Sequence, residues 1–172
     1  YLKDIRIKTT EEDLRFNLMP GIQSDVYVEP EIYKVVNEGY DYKERKKKKL
    51  FDKIDIDNEI DANQFIIIEG QMGAGKSKLL RHLSIQFTDP NVFIKKKTIP
   101  VLIQYKSIVE EDLISVDSII KYASTSYNID IIDGMKYLVL IDGYDEVDID
   151  GDRNIEILKE MAISHSKYKN CS

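Results

Sequence analysis

Tryptophan is absent from the 172 residues, cysteine occurs once, at Cys171, and proline four times. A single cysteine excludes an internal disulfide and a Cys-rich metal centre. His82 and His165 are isolated and are read as surface or helix-packing residues. No apolar run approaches the ~18 residues that cross a bilayer. The opening Tyr1-Leu2-Lys3-Asp4 has no apolar signal core and no initiating Met, so the chain is expected to begin inside a longer protein. Positive charge is in deficit: 25 Lys and Arg against 31 Asp and Glu give a net charge of −6, which argues against a general nucleic-acid surface. These absences point to an intracellular, cytoplasmic setting. With 42 % hydrophobic and 33 % charged residues, the chain has the composition of one globular domain with its own core.

The most informative stretch is residues 65–77, Phe-Ile-Ile-Ile-Glu-Gly-Gln-Met-Gly-Ala-Gly-Lys-Ser. It is an apolar run leading into G-x-x-x-x-G-K-S, the phosphate-binding P-loop. Gly70, Gln71, Met72, Gly73, Ala74 and Gly75 would wrap a polyphosphate with inward-pointing N–H groups, since glycine adopts the backbone conformations such a nest requires. Lys76 brings a mobile charge to the outer phosphates, Ser77 a hydroxyl ligand for Mg²⁺, and Lys78 lies in the first helical turn beyond. The helix that follows turns its positive N-terminus to the same anion. From average residue usage, the four fixed positions recur by chance in about one chain in two hundred of this length. Ile66, Ile67 and Ile68 read as a strand buried on both faces. Leu79, Leu80, Leu83 and Phe87 then recur at helical spacing, which places strand, loop and helix in the order the motif needs.

A nucleotide site also needs an acid for the metal. Residues 137–141 form a second continuous apolar run, and Asp142 ends it. Ligands of open α/β sheets sit beyond the carboxyl ends of strands, so Asp142 and Ser77 are expected to face one Mg²⁺. Asp145 and Glu146 complete a carboxylate group at that strand end. One of these acids would orient or deprotonate the attacking water.

The loop G-Q-M-G-A-G-K-S, followed by a strand ending L-V-L-I-D-G-Y-D-E, resembles a NACHT-type NTPase of the STAND group of P-loop ATPases. The Gly-x insertion in D-G-x-D-E is the discriminating piece. Ile99-Pro100-Val101-Leu102-Ile103 resembles the strand those proteins carry between the two Walker motifs. Tyr27-Val28-Glu29-Pro30 resembles the extended segment that packs near adenine, which implies Tyr27, Val28 and Pro30 as nucleotide neighbours. The resemblance covers residues 27–165. It implies an α/β fold, the P-loop NTPase three-layer sandwich with a mostly parallel sheet. Residues 1–26 become a connector and 27–172 the N-terminal part of the nucleotide-binding domain. It further implies that Lys76 is the phosphate lysine, Ser77 and Asp142 hold Mg²⁺, and Glu146 activates water beside Asp145. A sensor strand would follow in sequence and lie between the two Walker strands, with helical and winged-helix domains after it. All of these would fall beyond Ser172, so the two Walker strands are expected to lack their shared partner in this chain and the chain to be unstable by itself.

Between the motifs, residues 31–38 read as a short helix started by Pro30 and ended by Gly39. Residues 42–54 read as a second helix whose run 45–49 is a basic solvated face or, alternatively, a contact for an acidic or nucleic-acid partner. Residues 55–63 read as an acidic loop. The helix from Lys76 is expected to end near Thr88 with Pro90 as a stop, a strand to occupy 99–105, and Ser115 to cap a helix through Tyr127. Asp133-Gly134 turns into the second apolar strand, and Asp152 caps a helix over 153–167. Asp148 to Asp152 carries part of a calcium loop. The acid that loop requires six residues after its glycine is Ile157 here, so the segment reads as a turn and cap.

The expected activity is therefore slow Mg²⁺-dependent ATP hydrolysis in a molecular switch that holds ATP or ADP. The resemblance implies coupling of an unnamed sensed ligand to self-association and an effector, often in defence. A mechanical or transport ATPase with continuous turnover is the alternative. A scaffold that binds without hydrolysing is disfavoured by Asp145 and Glu146, because binding alone needs one metal acid.

Overall fold

The computed structural model describes residues 5, 30–41, 46–127, 130–132, 134–147 and 151–168. They divide into two compact units, with the boundary between Ala74 and Gly75, inside the P-loop sequence; Ile5 belongs to the second. Tyr27 and Val28, Asp133, and residues 148–150 of the calcium-like segment lie outside the described residues.

In the first unit, β1 (Ile32–Asp41) pairs antiparallel with β2 (Lys46–Ile54), in a register running from Ile32 opposite Ile54 to Asp41 opposite Lys46. A bulge falls between Val35 and Asn37. This replaces the two helices expected over 31–38 and 42–54. The lysine run suits a helix by local propensity, but Ile32, Tyr33, Val35, Leu50, Phe51 and Ile54 are residues that pack well on a pleated surface. The antiparallel register sets Glu38 opposite Lys49 and Asp41 opposite Lys46. At the base of the hairpin, Lys53 Nζ donates to Glu31 Oε1 at 2.6 Å, and the Tyr33 hydroxyl donates to Glu31 Oε2 at 2.9 Å. These bonds hold the Glu31 carboxyl below its ordinary pKa.

The acidic loop expected at 55–63 is instead helix α1 (Ile56–Ala62). Asp55 caps it by accepting from the Asp57 N–H at 2.9 Å. Lys34 Nζ reaches Glu59 Oε2 at 2.9 Å, tying α1 to β1. The expected strand at 66–68 is absent. Residues 65–71 carry no regular structure, and Phe65, Ile66 and Ile67 are exposed, Ile67 to 66 %. A strand exists only where a neighbour accepts and donates its backbone hydrogen bonds, and none of the described strands pairs with this run.

The second unit is built on a parallel pair. β3 (Thr98–Gln104) and β4 (Lys136–Asp142) run in register from Thr98 opposite Lys136 to Gln104 opposite Asp142. Residues 98–103 are all buried, the mark of a strand covered on both faces. α2 (Lys76–Phe87) lies against both strands and buries Leu79, Leu83 and Phe87, spaced i, i+4, i+8 along one stripe. Each such side chain removed from water stabilises by about 1.5–3 kcal/mol. α2 stops at Thr88, whose hydroxyl donates to the Ile85 carbonyl at 2.6 Å.

Pro90 is more than a stop. It opens α3 (Pro90–Lys96) as its first residue, behind an Asp89 cap that accepts from the Asn91 N–H at 2.9 Å. β3 ends one residue earlier than expected, because Tyr105 begins α4 (Tyr105–Glu110) with its ring fully buried. α5 (Val116–Tyr127) and α6 (Gly151–Tyr168) complete the unit. Ser115 caps α5 as expected: its Oγ accepts from the Ser118 N–H, while Ser118 Oγ accepts from the Ser115 N–H, both at 3.1 Å. Val101, Ile103, Tyr105, Ile108, Ile119, Ala123, Ile157 and Met161 form one core between the strands and the helices α4, α5 and α6. The architecture is mixed α/β with a small parallel sheet. Among the described residues no helix is long and apolar enough to cross a membrane.

Candidate functional site

The carboxyl ends of β3 and β4 and the N-terminal end of α2 carry the site. Gly75 caps α2 in the left-handed region at φ 86°, which frees the first turn from any side-chain cap. Gly73, in the first unit, is also left-handed at φ 80°, and an added Cβ would meet nothing within 4 Å at either glycine. Backbone conformation rather than crowding is what demands glycine at both positions. Ala74 N–H closes a turn onto the Gln71 carbonyl at 3.1 Å, and Gly70 through Gly75 are exposed, Met72 completely so.

Within the second unit, the two sequence motifs meet. Ser77 Oγ donates to Asp142 Oδ1 at 2.9 Å across 65 positions of sequence. The Gly143 N–H donates to the same oxygen at 3.0 Å. Lys76 Nζ stands 3.4 Å from Asp145 Oδ2, so an acid from the second motif faces the lysine of the first. Lys78, the other basic residue of that turn, is half-buried.

The Gly-Tyr pair within Asp-Gly-Tyr-Asp-Glu has a physical role. Gly143 is left-handed at φ 77° and leads into a single 3₁₀ turn, Tyr144–Glu146. A Cβ at Gly143 would lie 3.2 Å from Glu146 Oε2 and 3.3 Å from Gln104 Oε1, so the glycine makes room for both polar side chains. Tyr144 packs its ring 4.8 Å from Tyr105, in a tilted pair. The Tyr105 hydroxyl in turn donates to Asn154 Oδ1 at 2.6 Å, and burial pushes the pKa of Tyr105 up. The turn that aims Asp145 and Glu146 is thereby braced from below by α4 and α6.

The three acids expected as one carboxylate cluster have different surroundings. Asp142 is buried to 7 % exposure beneath Ser77, whereas Asp145 and Glu146 are exposed, one beside Lys76 and the other beside Gly143 and Gln104. Among the described residues no group of three or more His, Cys, Asp or Glu is arranged to hold a metal ion. The oxygen pair Ser77 Oγ and Asp142 Oδ1 suits Mg²⁺, which takes one or two protein oxygens and completes its shell with water and phosphate. Pro30 is half-buried in the first unit.

Two residues of the site escaped sequence reasoning. Arg81 is buried on α2, with Nη2 3.9 Å from Asp142 Oδ2. Its signal was present, since position 81 follows Ser77 by one helical turn and shares its face. Gln104 ends β3 directly opposite Asp142, a placement that only the strand register reveals. Compared with protein-family models, with curated proteins and with solved structures, the chain matches none.

Proposed function

We propose that this chain is the nucleotide-binding part of a NACHT-type switch in the STAND group, with the three-layer P-loop NTPase fold. It binds ATP or ADP with Mg²⁺ and hydrolyses ATP slowly. The observation that carries the reading is the hydrogen bond from Ser77 to Asp142, which brings the last residue of the P-loop onto the acid that ends β4. Ser77 and Asp142 would hold Mg²⁺, which when bound supplies charge neutralisation at the phosphates. Lys76 binds the outer phosphates in place of Asp145, its present anionic neighbour. Glu146, on the braced turn and exposed, orients or deprotonates water, and Gln104 lies beside it. Hydrolysis resets the switch, and nucleotide state governs self-association that links a sensed ligand to an effector.

Calorimetric titration with ADP and ATP tests the binding. Saturable, Mg²⁺-strengthened binding is expected, and no binding would refute the reading. Mass photometry of the Glu146→Gln protein tests the switch. A larger assembly in ATP than in ADP is expected, whereas equal masses together with fast steady-state turnover in the wild type would favour a mechanical or transport ATPase.

A further inference from the structure

Asp142 offers two carboxylate oxygens, and the structure gives them different neighbours. Oδ1 takes the Ser77 hydroxyl and the Gly143 N–H, at 2.9 and 3.0 Å. Oδ2 faces Arg81 Nη2 at 3.9 Å, an ion-pair distance beyond hydrogen-bond range. Arg81 and Asp142 are each only 7 % exposed. The pair is therefore shielded from the water and salt that make surface pairs weak. Ser77 and Arg81 are one turn apart on α2, so a single helix face addresses both edges of the carboxylate.

A buried arginine needs a reason. Apolar side chains of similar volume fill such a position at least as stably, because both charges of a buried pair must be stripped of water. Arginine brings a planar, delocalised guanidinium that matches the edge of a carboxylate, which makes it an electrostatic anchor. We propose that Arg81 is the positioning residue of Asp142. It holds Oδ2 toward the second turn of α2 so that Oδ1 is presented to Ser77 in the first turn and to the divalent metal of the bound nucleotide. This inference rests on the P-loop reading and extends it to the residue that sets the metal acid's orientation.

The test is ADP affinity by calorimetry in Mg²⁺ and in EDTA, for the wild type, Arg81→Met and Arg81→Gln, with folding checked by circular dichroism. The Met variant keeps volume and loses charge. The Gln variant keeps polarity and serves where Met does not fold. The expected result is a loss of affinity of about tenfold in Mg²⁺, with affinity in EDTA within about twofold of wild type. In an Asp142→Asn background, Arg81→Gln should add no further loss, because the arginine acts through that carboxylate. A folded neutral variant with the wild-type gain from Mg²⁺ would overturn the inference. So would equal losses in Mg²⁺ and EDTA, which would mark a purely structural residue. A wild-type protein that binds no ADP in either condition would instead remove the P-loop reading itself.

Discussion

Residues 65–69 and 137–141 are nearly the same sentence in two places: Phe-Ile-Ile-Ile-Glu before the P-loop, and Tyr-Leu-Val-Leu-Ile before Asp142. By composition each is a buried strand. One became β4, with Leu140 buried and every residue in register with β3. The other is an exposed run outside any sheet. Apolar β-branched sequence supplies the capacity to be a strand, and a partner ladder supplies the strand itself. At the end of β4 the turn Tyr144–Glu146 is held by packing on Tyr105. In the other unit, residues 70–74 are exposed.

The comparison can be broken or sharpened by substitution. The largest effect is expected at the braced end: Glu146→Gln should slow ATP hydrolysis by about 10²–10⁴-fold, the range for losing a general base, with ADP affinity retained. Single-turnover assays decide it, and unchanged turnover would pass the role to Asp145. Next is Leu140→Ala in β4, which should cost about 2–5 kcal/mol in urea unfolding, as truncations in packed cores do. At the start of α2, Lys76→Ala should weaken ATP and ADP binding tenfold or more, because charge-assisted contacts contribute about 1.5–3 kcal/mol. Wild-type affinity in that variant would sink the phosphate role. Gly143→Ala should cost about 1–2 kcal/mol for its left-handed backbone. It should also slow hydrolysis by pushing on Glu146 and Gln104, which lie within 3.3 Å of the added carbon. The smallest change belongs to Ile67→Ala, expected within about 0.5 kcal/mol of wild type because the side chain is largely in water. A loss as large as that of Leu140→Ala would mean that residues 65–69 acquire a ladder in solution, and the contrast between the two runs would disappear.

What depends on local logic was legible: the meeting of Ser77 with Asp142 is expected from residue type and spacing, and the helix from Lys76 and the cap at Ser115 fall where their signals put them. The hairpin departs from the expected helices because a lysine run that satisfies helix propensity yields to pairing. α1 stands where a loop is expected because its acids mask an ordinary Asp55 cap. Pro90 begins one helix as well as following another.

The sequence by itself determined the phosphate-loop pattern, the glycines that must turn left-handed, the α2 stripe and the two runs able to become strands. These depend on a few neighbouring residues and on backbone sterics, so they are written in short windows. Tertiary structure alone decided which run entered a sheet, that Lys46–Ile54 lies as a strand against β1, that Arg81 sits under Asp142, and that Gln104 stands opposite it. Each of these is a pairing between residues distant in the chain. Its free energy exists only when both partners are in place, and no local window contains both.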